Sequence, residues 1–451
     1  MPSLGSTIYF GIVLWGEKFR EFFVNYSLSS LLAPGNIPAL ANRENQNRFL
    51  ICTTPEDWEW LQSQSNFFLL QRYMEAEFLP LKILQEEEYR KLDDILNSCK
   101  IYNMNQGHIA LVKRMYASGA VGSIVIPDSV YANYSVSNAY KAISSGKKVV
   151  LVHCPRFATT DLVEDLSKEK YFTQGQPITI HARDLARIGL KNLHVDIRMQ
   201  QWAFPYLPEF ILEMWWPLSD QSGIVFHALN WWHAFINYGA MGNHNVENLD
   251  DNTIDGTYLA RNFTRNDAYL MTDSDEFLLV TFSEHLNRSL RKFPNYDFPL
   301  PVVRDSLKIH HIREMIKGIM HRLIDPFKVN FFRHPVYLHS KDLTPQDYRV
   351  EKKAQKIIQK IFKPASFWEQ FIVSISWRPY EDKLKEVAFH FFKSVYRKKI
   401  FRLMINLIMA AVILLLSIFV IAIRKIFLLK NKSNGKEKIE FFYNEYIKED
   451  V

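Results

Sequence analysis

Cysteine is scarce in this sequence. Only three cysteines occur in 451 residues, Cys52, Cys99 and Cys154, and no two of them are close along the chain. Such spacing argues against a disulfide framework and against a zinc site built on thiolates. The cysteine content is therefore typical of a protein that folds in a reducing compartment.

Glycine is missing from the places where common catalytic motifs require it. The 16 glycines form no Gly-x-Gly-x-x-Gly, no Gly-x-x-x-x-Gly-Lys-Ser/Thr and no Gly-x-Ser-x-Gly pattern. These patterns mark dinucleotide-binding folds, P-loops and the nucleophile elbow of α/β-hydrolases. No His-Glu-x-x-His occurs either, so the sequence offers no support for a metalloprotease zinc site.

Acidic residues are few in the stretch 383–402, where basic residues collect. The formal net charge is +7, from 55 basic and 48 acidic residues. Seven basic side chains crowd one stretch: Lys383, Lys385, Lys393, Arg397, Lys398, Lys399 and Arg402. They flank an apolar segment and are not interleaved with exposed aromatics on a folded surface. We therefore expect no nucleic-acid partner, and contact with anionic lipid headgroups instead.

Charged residues are absent from positions 403–423. Asn406 and Ser417 are the only polar residues in this segment of 21. At about 1.5 Å per residue, a helix of this length spans the roughly 30 Å hydrocarbon core of a bilayer. A buried core helix is the poorer alternative, because the segment has no polar face and has basic clusters at both edges. We predict one transmembrane helix here, followed by a short polar tail at 424–451.

The N-terminus does not have the pattern of a secretory signal peptide. No basic residue precedes the apolar stretch 8–15, and Gly16-Glu17-Lys18 follows it. The basic flank upstream of 403–423 is denser than the downstream Arg424-Lys425, and the tail turns acidic after Lys438. The positive-inside tendency then places the large N-terminal part of this single-pass protein in the cytoplasm.

Short apolar runs alternate with helical patterns over the first 155 residues. We predict strands at 9–15, 48–54, 77–81, 124–126 and 149–152, and helices at 19–32, from 55 onward and at 102–118. Thr54 is placed to cap the helix that Pro55 begins. The alternation predicts an α/β fold with a mostly parallel, doubly wound sheet.

Beyond residue 157 the pattern is less regular. We predict a helix at 181–188 that Gly189 ends, and a half-buried strand at 193–198, where apolar and polar residues alternate. The stretch 301–402 reads as a helical, basic, membrane-proximal region. The first domain is thus expected to cover residues 1–300.

Asp128 follows the apolar run that ends at Pro127, and Ser129, Asn133 and Ser135 come soon after it. Ligands of open α/β sheets bind outside the carboxyl ends of the strands. A carboxylate there, beside hydroxyl and amide groups, suits a divalent cation or the ribose and diphosphate of a nucleotide. The alternative is an aspartate that caps the turn after Pro127.

A second acidic group is Asp273-Ser274-Asp275-Glu276, which follows an apolar stretch. On an extended chain, two carboxylates two residues apart face the same way, so Asp273 and Asp275 can reach one cation. The alternative is a charged hairpin turn between two apolar strands, which the immediate return to apolar residues at Phe277 supports.

Histidine and tryptophan are concentrated between positions 202 and 244. Tryptophan faces stack on sugar rings, and His227 or His244 is a candidate general base. Asp255, in an acidic loop, is a third candidate base. The alternatives are an aromatic core or a membrane-facing surface for the aromatic region, and a solvated turn for the acidic loop.

The order of these pieces resembles the nucleotide-binding half of GT-A type glycosyltransferases, over about residues 7–285. A first strand ends near Trp15, and a helix leads from it to Leu-Leu-Ala-Pro-Gly-Asn at 31–36. The Asp128 run then falls where that fold places its metal-binding acidic motif, although no second carboxylate follows two residues later. The group at 273–276 is also similar to a feature of some bacterial proteins of this GT-A-like group.

The resemblance implies a membrane-anchored glycosyltransferase that moves a sugar from a nucleotide-activated donor to a glycan or lipid-linked acceptor. The residues expected at the nucleotide-sugar are Trp15, Asp128, Ser129, Asn133 and Ser135. The residues expected at a Mn²⁺ or Mg²⁺ ion are Asp128, Asp273 and Asp275. The other class is a non-catalytic, membrane-tethered binding or scaffold protein that kept the fold, since fold alone does not establish function.

Overall fold

The computed structural model describes residues 7–41, 46–92, 98–204, 213–229, 231, 233–242, 244, 249, 254, 258–284, 301–321 and 326–366. The predicted transmembrane segment 403–423, the tail 424–451 and the candidate base Asp255 lie outside these residues, as does the stretch 367–402. No helix in the described part of the chain is long and apolar enough to cross a bilayer.

The described residues form thirteen strands in three sheets. In chain order they are β1 Ile8–Val13, β2 Arg48–Thr53, β3 Glu75–Pro80, β4 Val121–Ile124, β5 Ser129–Tyr131, β6 Val149–Val152, β7 Arg156–Ala158, β8 Glu213–Pro217, β9 Gly223–Ala228, β10 Ala234–Asn237, β11 Ala268–Met271, β12 Leu279–Ser283 and β13 Val336–His339. The main sheet has seven strands in the order β11-β6-β10-β4-β1-β2-β3. All its neighbours are parallel except β10, which runs antiparallel to both β4 and β6. The predicted α/β class and mostly parallel sheet are confirmed.

Two small sheets accompany the main one. The first has the order β5-β12-β7, and the second, β13-β9-β8, is antiparallel throughout. The helices, in chain order, are α1 Glu17–Phe22, α2 Leu28–Leu31, α3 Ile37–Leu40, α4 Pro55–Gln62, α5 Ser65–Leu70, α6 Glu86–Tyr89, α7 Cys99–Ala117, α8 Ser135–Ser144, α9 Thr159–Lys168, α10 Ala182–Lys191, α11 Val195–Arg198, α12 Tyr258–Asn262, α13 Pro301–His321, α14 Pro326–Phe331 and α15 Pro345–Ile361.

The predicted helices of the first 120 residues are present. A π-helical segment, Phe23–Ser27, joins α1 to α2, so the helix expected at 19–32 is continuous with one stretch of wider turns. Thr54 caps α4 as expected, because its hydroxyl accepts a hydrogen bond from the backbone N–H of Asp57.

Helices cover both faces of the main sheet, because the residues of β1 alternate between two hydrophobic clusters. Phe10 and Ile12 pack with the helical segment 23–31 and α8, whereas Tyr9 and Val13 pack with α7. α7 lies close to β1 because Gly107 and Gly11 carry no side chain. A Cβ on Gly107 would come within 2.5 Å of Val13 Cγ1.

The strand expected at 124–126 lies earlier, at Val121–Ile124. Three other local predictions are wrong. The strand expected at 193–198 is instead the short helix α11, which begins because His194 Nδ1 accepts a hydrogen bond from the Asp196 N–H. Gly189 does not end the preceding helix, which runs on to Lys191; the missing side chain of Gly189 gives room to the Phe157 ring. A strand, β13, interrupts the region expected to be helical, because it pairs with β9.

The chain divides into two compact units. The first contains residues 1–294 and 314–359, and the second contains residues 295–313 and 360–451. β13 therefore belongs to the first unit, whereas the predicted boundary at residue 300 assigned it to the membrane-proximal region. Every candidate site residue described below lies in the first unit.

Candidate functional site

The order of strands in the main sheet reverses between β1 and β4. The chain places β2 and β3 on one side of β1 and then returns to add β4 on the other side. Gly11 faces Ile124 in the register of this pair, and Trp15 and Asp128 each follow four residues later. Both residues therefore leave the sheet at the same carboxyl edge, at the point where open α/β sheets form a ligand crevice.

A buried carboxylate holds the loop that carries Trp15. The Asp57 carboxylate accepts a hydrogen bond from the Gly16 backbone N–H at 2.8 Å and one from Arg20 Nη1 at 2.9 Å. Asp57 is 4% exposed and stands in the first turn of α4. Gly16 has a φ of 81°, a left-handed conformation that glycine adopts without steric cost. Asp57 thus fixes the turn at the end of β1 through two hydrogen bonds, one from the backbone of the turn and one from a side chain of the helix that follows it.

Asp128 is a partly exposed carboxylate in the field of three cationic side chains. Burial raises its pKa, and a hydrogen bond to its own backbone and the positive charges of Arg156, Lys100 and Lys18 oppose that shift. Lys18 also contacts Glu284 at 2.6 Å. Among the described residues, no grouping of metal-ligand atoms includes Asp128. A single carboxylate with three cationic neighbours does not fit a divalent metal, because such an ion prefers several oxygen ligands and repels these cations.

Aromatic rings lie beside the same cations. Lys100 Nζ lies 4.9 Å from the centre of the Phe19 ring, and Lys18 Nζ lies 5.7 Å from that of Phe22. The Phe22 ring packs edge-on against Phe282 of β12, whose backbone N–H donates to the Asp128 carbonyl. This edge therefore combines partly exposed aromatic faces with positive charge.

The side chains of the three polar residues expected beside Asp128 form hydrogen bonds with backbone groups of the protein. Ser129 donates to the Ile126 carbonyl at 2.6 Å. The Asn133 side chain accepts from the Gly35 N–H at 2.7 Å. The Ser135 hydroxyl accepts from the Leu278 N–H and donates to the Leu278 carbonyl. All three are tied to neighbouring loops, and Ser129 and Ser135 are buried. Their hydrogen bonds shape the carboxyl edge, where Asp128 and Trp15 remain the candidates for ligand contact.

The histidines predicted as bases do not lie beside Asp128. His227 is fully buried on β9, where Nδ1 donates to the Phe332 carbonyl at 2.9 Å. His244 bonds the Tyr258 hydroxyl at 2.5 Å and packs on Tyr238, which lies against the amino end of β4. Burial lowers the pKa of both, that of His227 to about 4. The geometry gives neither histidine access to a substrate at the carboxyl edge. Trp215, Trp216 and Trp231 are likewise buried core residues. Trp232 lies outside the described residues.

Asp273 and Asp275 lie in a turn after β11, at the carboxyl end of that strand. The expected extended geometry is wrong: the Asp275 backbone N–H donates to Asp273 Oδ1 at 2.8 Å, which closes the turn. The backbone turns here, as the alternative expected, but the turn is not a hairpin, because β11 and β12 lie in different sheets. The two carboxylates are nevertheless close, and His339 of β13 joins them. One ligand atom from each of these three residues lies within 4.8 Å of the other two.

Two basic side chains contact this acidic turn. His339 Nε2 lies 2.9 Å from Asp273 Oδ1. Burial by itself lowers the pKa of His339, but its hydrogen bonds to Asp273 and to the Lys341 carbonyl, together with the charges of Asp273 and Asp275, raise it. Arg183, at the start of α10, donates to both oxygens of Asp275 and to Asp342. Sequence reasoning found the two aspartates but missed His339, which is 64 positions after Asp275 in a stretch predicted to be helical. No local sequence signal links them, because pairing of β13 with β9 creates the contact.

Comparison with known proteins assigns no function to either of these two groups of residues. The chain matches no protein-family model. It matches no curated protein in sequence. The function must therefore be inferred from the crevice between β1 and β4 and from the cluster at the end of β11.

Proposed function

We propose that this protein is a membrane-anchored glycosyltransferase of the GT-A type, which transfers a sugar from a nucleotide-activated donor to a glycan or lipid-linked acceptor. One observation carries this assignment. Asp128 and Trp15 leave neighbouring parallel strands together, at the point where the strand order of a large α/β sheet reverses. This is the position at which nucleotides bind in open α/β folds.

The chemistry around Asp128 supports a nucleotide diphosphate as the donor's leaving group. Lys18, Lys100 and Arg156 offer positive charge for phosphate oxygens. The Phe19 and Trp15 rings are partly exposed and offer faces for a base or sugar. Asp128 accepts hydrogen bonds from sugar or ribose hydroxyls. The donor diphosphate is neutralised by side chains at this edge, so donor binding here does not depend on a metal.

The membrane-proximal sequence supports an anchored enzyme. The uncharged segment 403–423 and its basic flanks suit a single transmembrane helix with the N-terminal part in the cytoplasm. Cytoplasm is also the compartment in which nucleotide-sugars and lipid-linked acceptors meet. An anchor raises the effective concentration of a lipid-linked acceptor at the active site.

Donor binding by the full chain in detergent tests this assignment. Thermal unfolding is followed with UDP-, GDP-, CMP- and dTDP-sugars, each with and without Mn²⁺. We expect one nucleotide class to raise the melting temperature without Mn²⁺. Asp128→Asn and Lys100→Ala should each weaken that donor by about tenfold, the size of one lost charged hydrogen bond. Glu164→Gln, at an exposed pair on α9, is the matched control and should change nothing.

Release of free nucleoside diphosphate separates the enzyme from the scaffold alternative. A donor that binds and is turned over, by transfer or slow hydrolysis, supports the transferase. A donor that binds without any release of nucleoside diphosphate, even with membrane extracts as acceptor, supports the non-catalytic alternative. If no nucleotide shifts the melting temperature, and Asp128→Asn is indistinguishable from the unmodified protein, both the transferase and the non-catalytic alternative are contradicted.

A further inference from the structure

We propose that Asp273, Asp275 and His339 form a binding site for a first-row divalent transition metal such as Mn²⁺ or Zn²⁺. This site is separate from the crevice at Asp128 and does not depend on the function proposed for that crevice. Three ligand atoms from these residues lie within 4.8 Å of one another. Two ligand atoms bound at about 2.1 Å to one metal are at most about 4.2 Å apart, so small side-chain movements bring these three atoms into coordination range.

A hydrogen bond on the outer side of the His339 ring orients it towards the carboxylates. His339 Nδ1 lies 2.7 Å from the Lys341 carbonyl, and a carbonyl only accepts, so Nδ1 is the protonated nitrogen. Nε2 therefore faces Asp273 Oδ1 at 2.9 Å, in the position from which it would bind a metal ion that the carboxylate also reaches. A backbone carbonyl that fixes the distal N–H is also the usual outer partner of a metal-bound histidine.

The scaffold holds the three ligands in place without the metal. Ser274 lies between the two aspartates in sequence and is buried. Its backbone N–H donates to the Tyr337 carbonyl, and its hydroxyl accepts from the His339 N–H. The Tyr337 N–H donates to the Thr272 carbonyl at 2.7 Å. Hydrogen bonds thus join the turn to β13. Metal binding therefore has to order little additional backbone.

Burial and ligand type indicate which metals fit. His339 is 3% exposed, whereas the side chains of Asp273 and Asp275 are 40% and 38% exposed. The ligands therefore line one buried and one open side, which leaves coordination positions for water. An imidazole nitrogen with two carboxylates favours Mn²⁺ or Zn²⁺ over Ca²⁺ and Mg²⁺, which prefer oxygen alone.

Arg183 is a built-in competitor for this cation. Its guanidinium donates to both oxygens of Asp275 and reaches Asp342 as well. A metal adds positive charge beside that guanidinium, so metal binding and the Arg183–Asp275 pair oppose each other. Bound metal is expected to loosen α10 from the turn while it fastens the turn to β13.

Metal binding by the full chain in detergent, after removal of divalent ions with a chelator, tests this site. We expect titration with Mn²⁺ and Zn²⁺ to give one saturable site, and Co²⁺ to give visible bands of a nitrogen- and oxygen-ligated ion. Asp273→Asn and His339→Gln should each weaken binding at least about tenfold. Arg183→Gln should strengthen it by about threefold or more, because the competing charge is removed.

Asp342→Asn is the matched control, since it removes an exposed carboxylate that touches the same arginine but supplies no ligand. Coordination predicts a change of less than about threefold in this variant. The site is disproved if Asp342→Asn weakens binding as much as Asp273→Asn does. It is equally disproved if Mg²⁺ and Ca²⁺ bind as tightly as Mn²⁺ and Zn²⁺, or if no ion binds. Near-ultraviolet circular dichroism of each variant establishes that it is folded.

Discussion

His227 and His233 are imidazoles that the fold keeps neutral. Both are fully buried, and burial lowers the pKa of His227 to about 4 and that of His233 to about 3. His227 Nε2 and His233 Nδ1 have no hydrogen-bond partner among the described residues. A proton on either ring would therefore add an unpaired charge to the core, which is costly.

Acidification should destabilise the protein through these two histidines. Below about pH 6.5 the unfolded chain binds a proton on each ring while the folded chain does not. Stability therefore falls as the pH drops from about 6.5 towards 4, with a slope approaching about 1.4 kcal/mol per pH unit for each histidine. Melting temperatures of the full chain in detergent, measured by tryptophan fluorescence across this range, check the slope.

His227→Asn should reduce that slope. The asparagine amide can donate to the Phe332 carbonyl in place of Nδ1 but does not titrate. His181→Asn is the matched control, since His181 is exposed. An unchanged slope in His227→Asn, or an equal reduction in His181→Asn, would contradict the role of burial.

The histidines show why residue type alone could not locate a site. His227 and His339 both stand on strands of the same antiparallel sheet. The first is enclosed by aromatic rings, including Trp216 and Phe332. The second faces a carboxylate. Sequence reasoning selected His227 because it lies in an aromatic-rich stretch, and had no means of pairing His339 with Asp273. Contacts between distant strands set the chemistry of each ring.

At the level of elements, the close packing of α7 on β1 depends on two glycines, Gly107 and Gly11, which carry no side chain. Gly107→Ala should destabilise the protein by about 1–3 kcal/mol, although alanine is the better helix former. The added Cβ would meet Val13 Cγ1 at 2.5 Å and Cγ2 at 2.7 Å, and valine has few rotamers with which to move away. Val13→Ala should by itself also destabilise the protein, because it leaves a cavity.

A double-mutant cycle isolates this contact. In Gly107→Ala/Val13→Ala the new methyl group enters the space that the valine vacates, so the double variant should be more stable than the sum of the single effects predicts. Thermal or denaturant unfolding of the four proteins measures the coupling. Strict additivity would mean that α7 and β1 are separated by more space than the structure shows.

Elements with long, consistent patterns were predicted well from the sequence. The apolar runs of β1, β2 and β6 and the capped start of α4 carry their own signals, because each is buried or capped locally. The elements that were predicted wrongly are short. α11 has four residues, and a hydrogen bond to His194 decides its conformation against an alternating pattern. β13 also has four residues and becomes a strand only because β9 is beside it.

Across the whole molecule, the three aspartates expected to share one metal ion lie in two separate groups. Asp128 was expected at a metal, but it lies in the field of three cationic side chains. Asp273 and Asp275 were expected to share that metal, but they lie in their own cluster with His339. β5 and β12, which pair antiparallel, separate the two groups, with Asp128 just before β5 and Asp273 before β12. Their separation depends on topology, which no single motif reports.

Membrane orientation is the property of the whole chain that the charge pattern predicts most directly. The three native cysteines are buried, so a single engineered cysteine gives a clean labelling site. Glu164→Cys places a thiol on the exposed face of α9, where the side chain is 57% exposed. Ser433→Cys places one beyond the segment 403–423. We expect a membrane-impermeant maleimide added to intact cells to label position 433 and not position 164, because the denser basic flank retains the N-terminal part inside.

Permeabilised cells supply the control, since position 164 must then react. Labelling of position 164 alone in intact cells would mean that the N-terminal part faces outward, where nucleotide-sugars are not supplied. Protection of both positions would mean that 403–423 does not cross the bilayer, and the basic stretch 383–402 would then bind the membrane from one side. Replacement of Arg397, Lys398 and Lys399 by glutamine should shift the pattern towards inversion, because the difference in positive charge across the segment determines the direction of insertion.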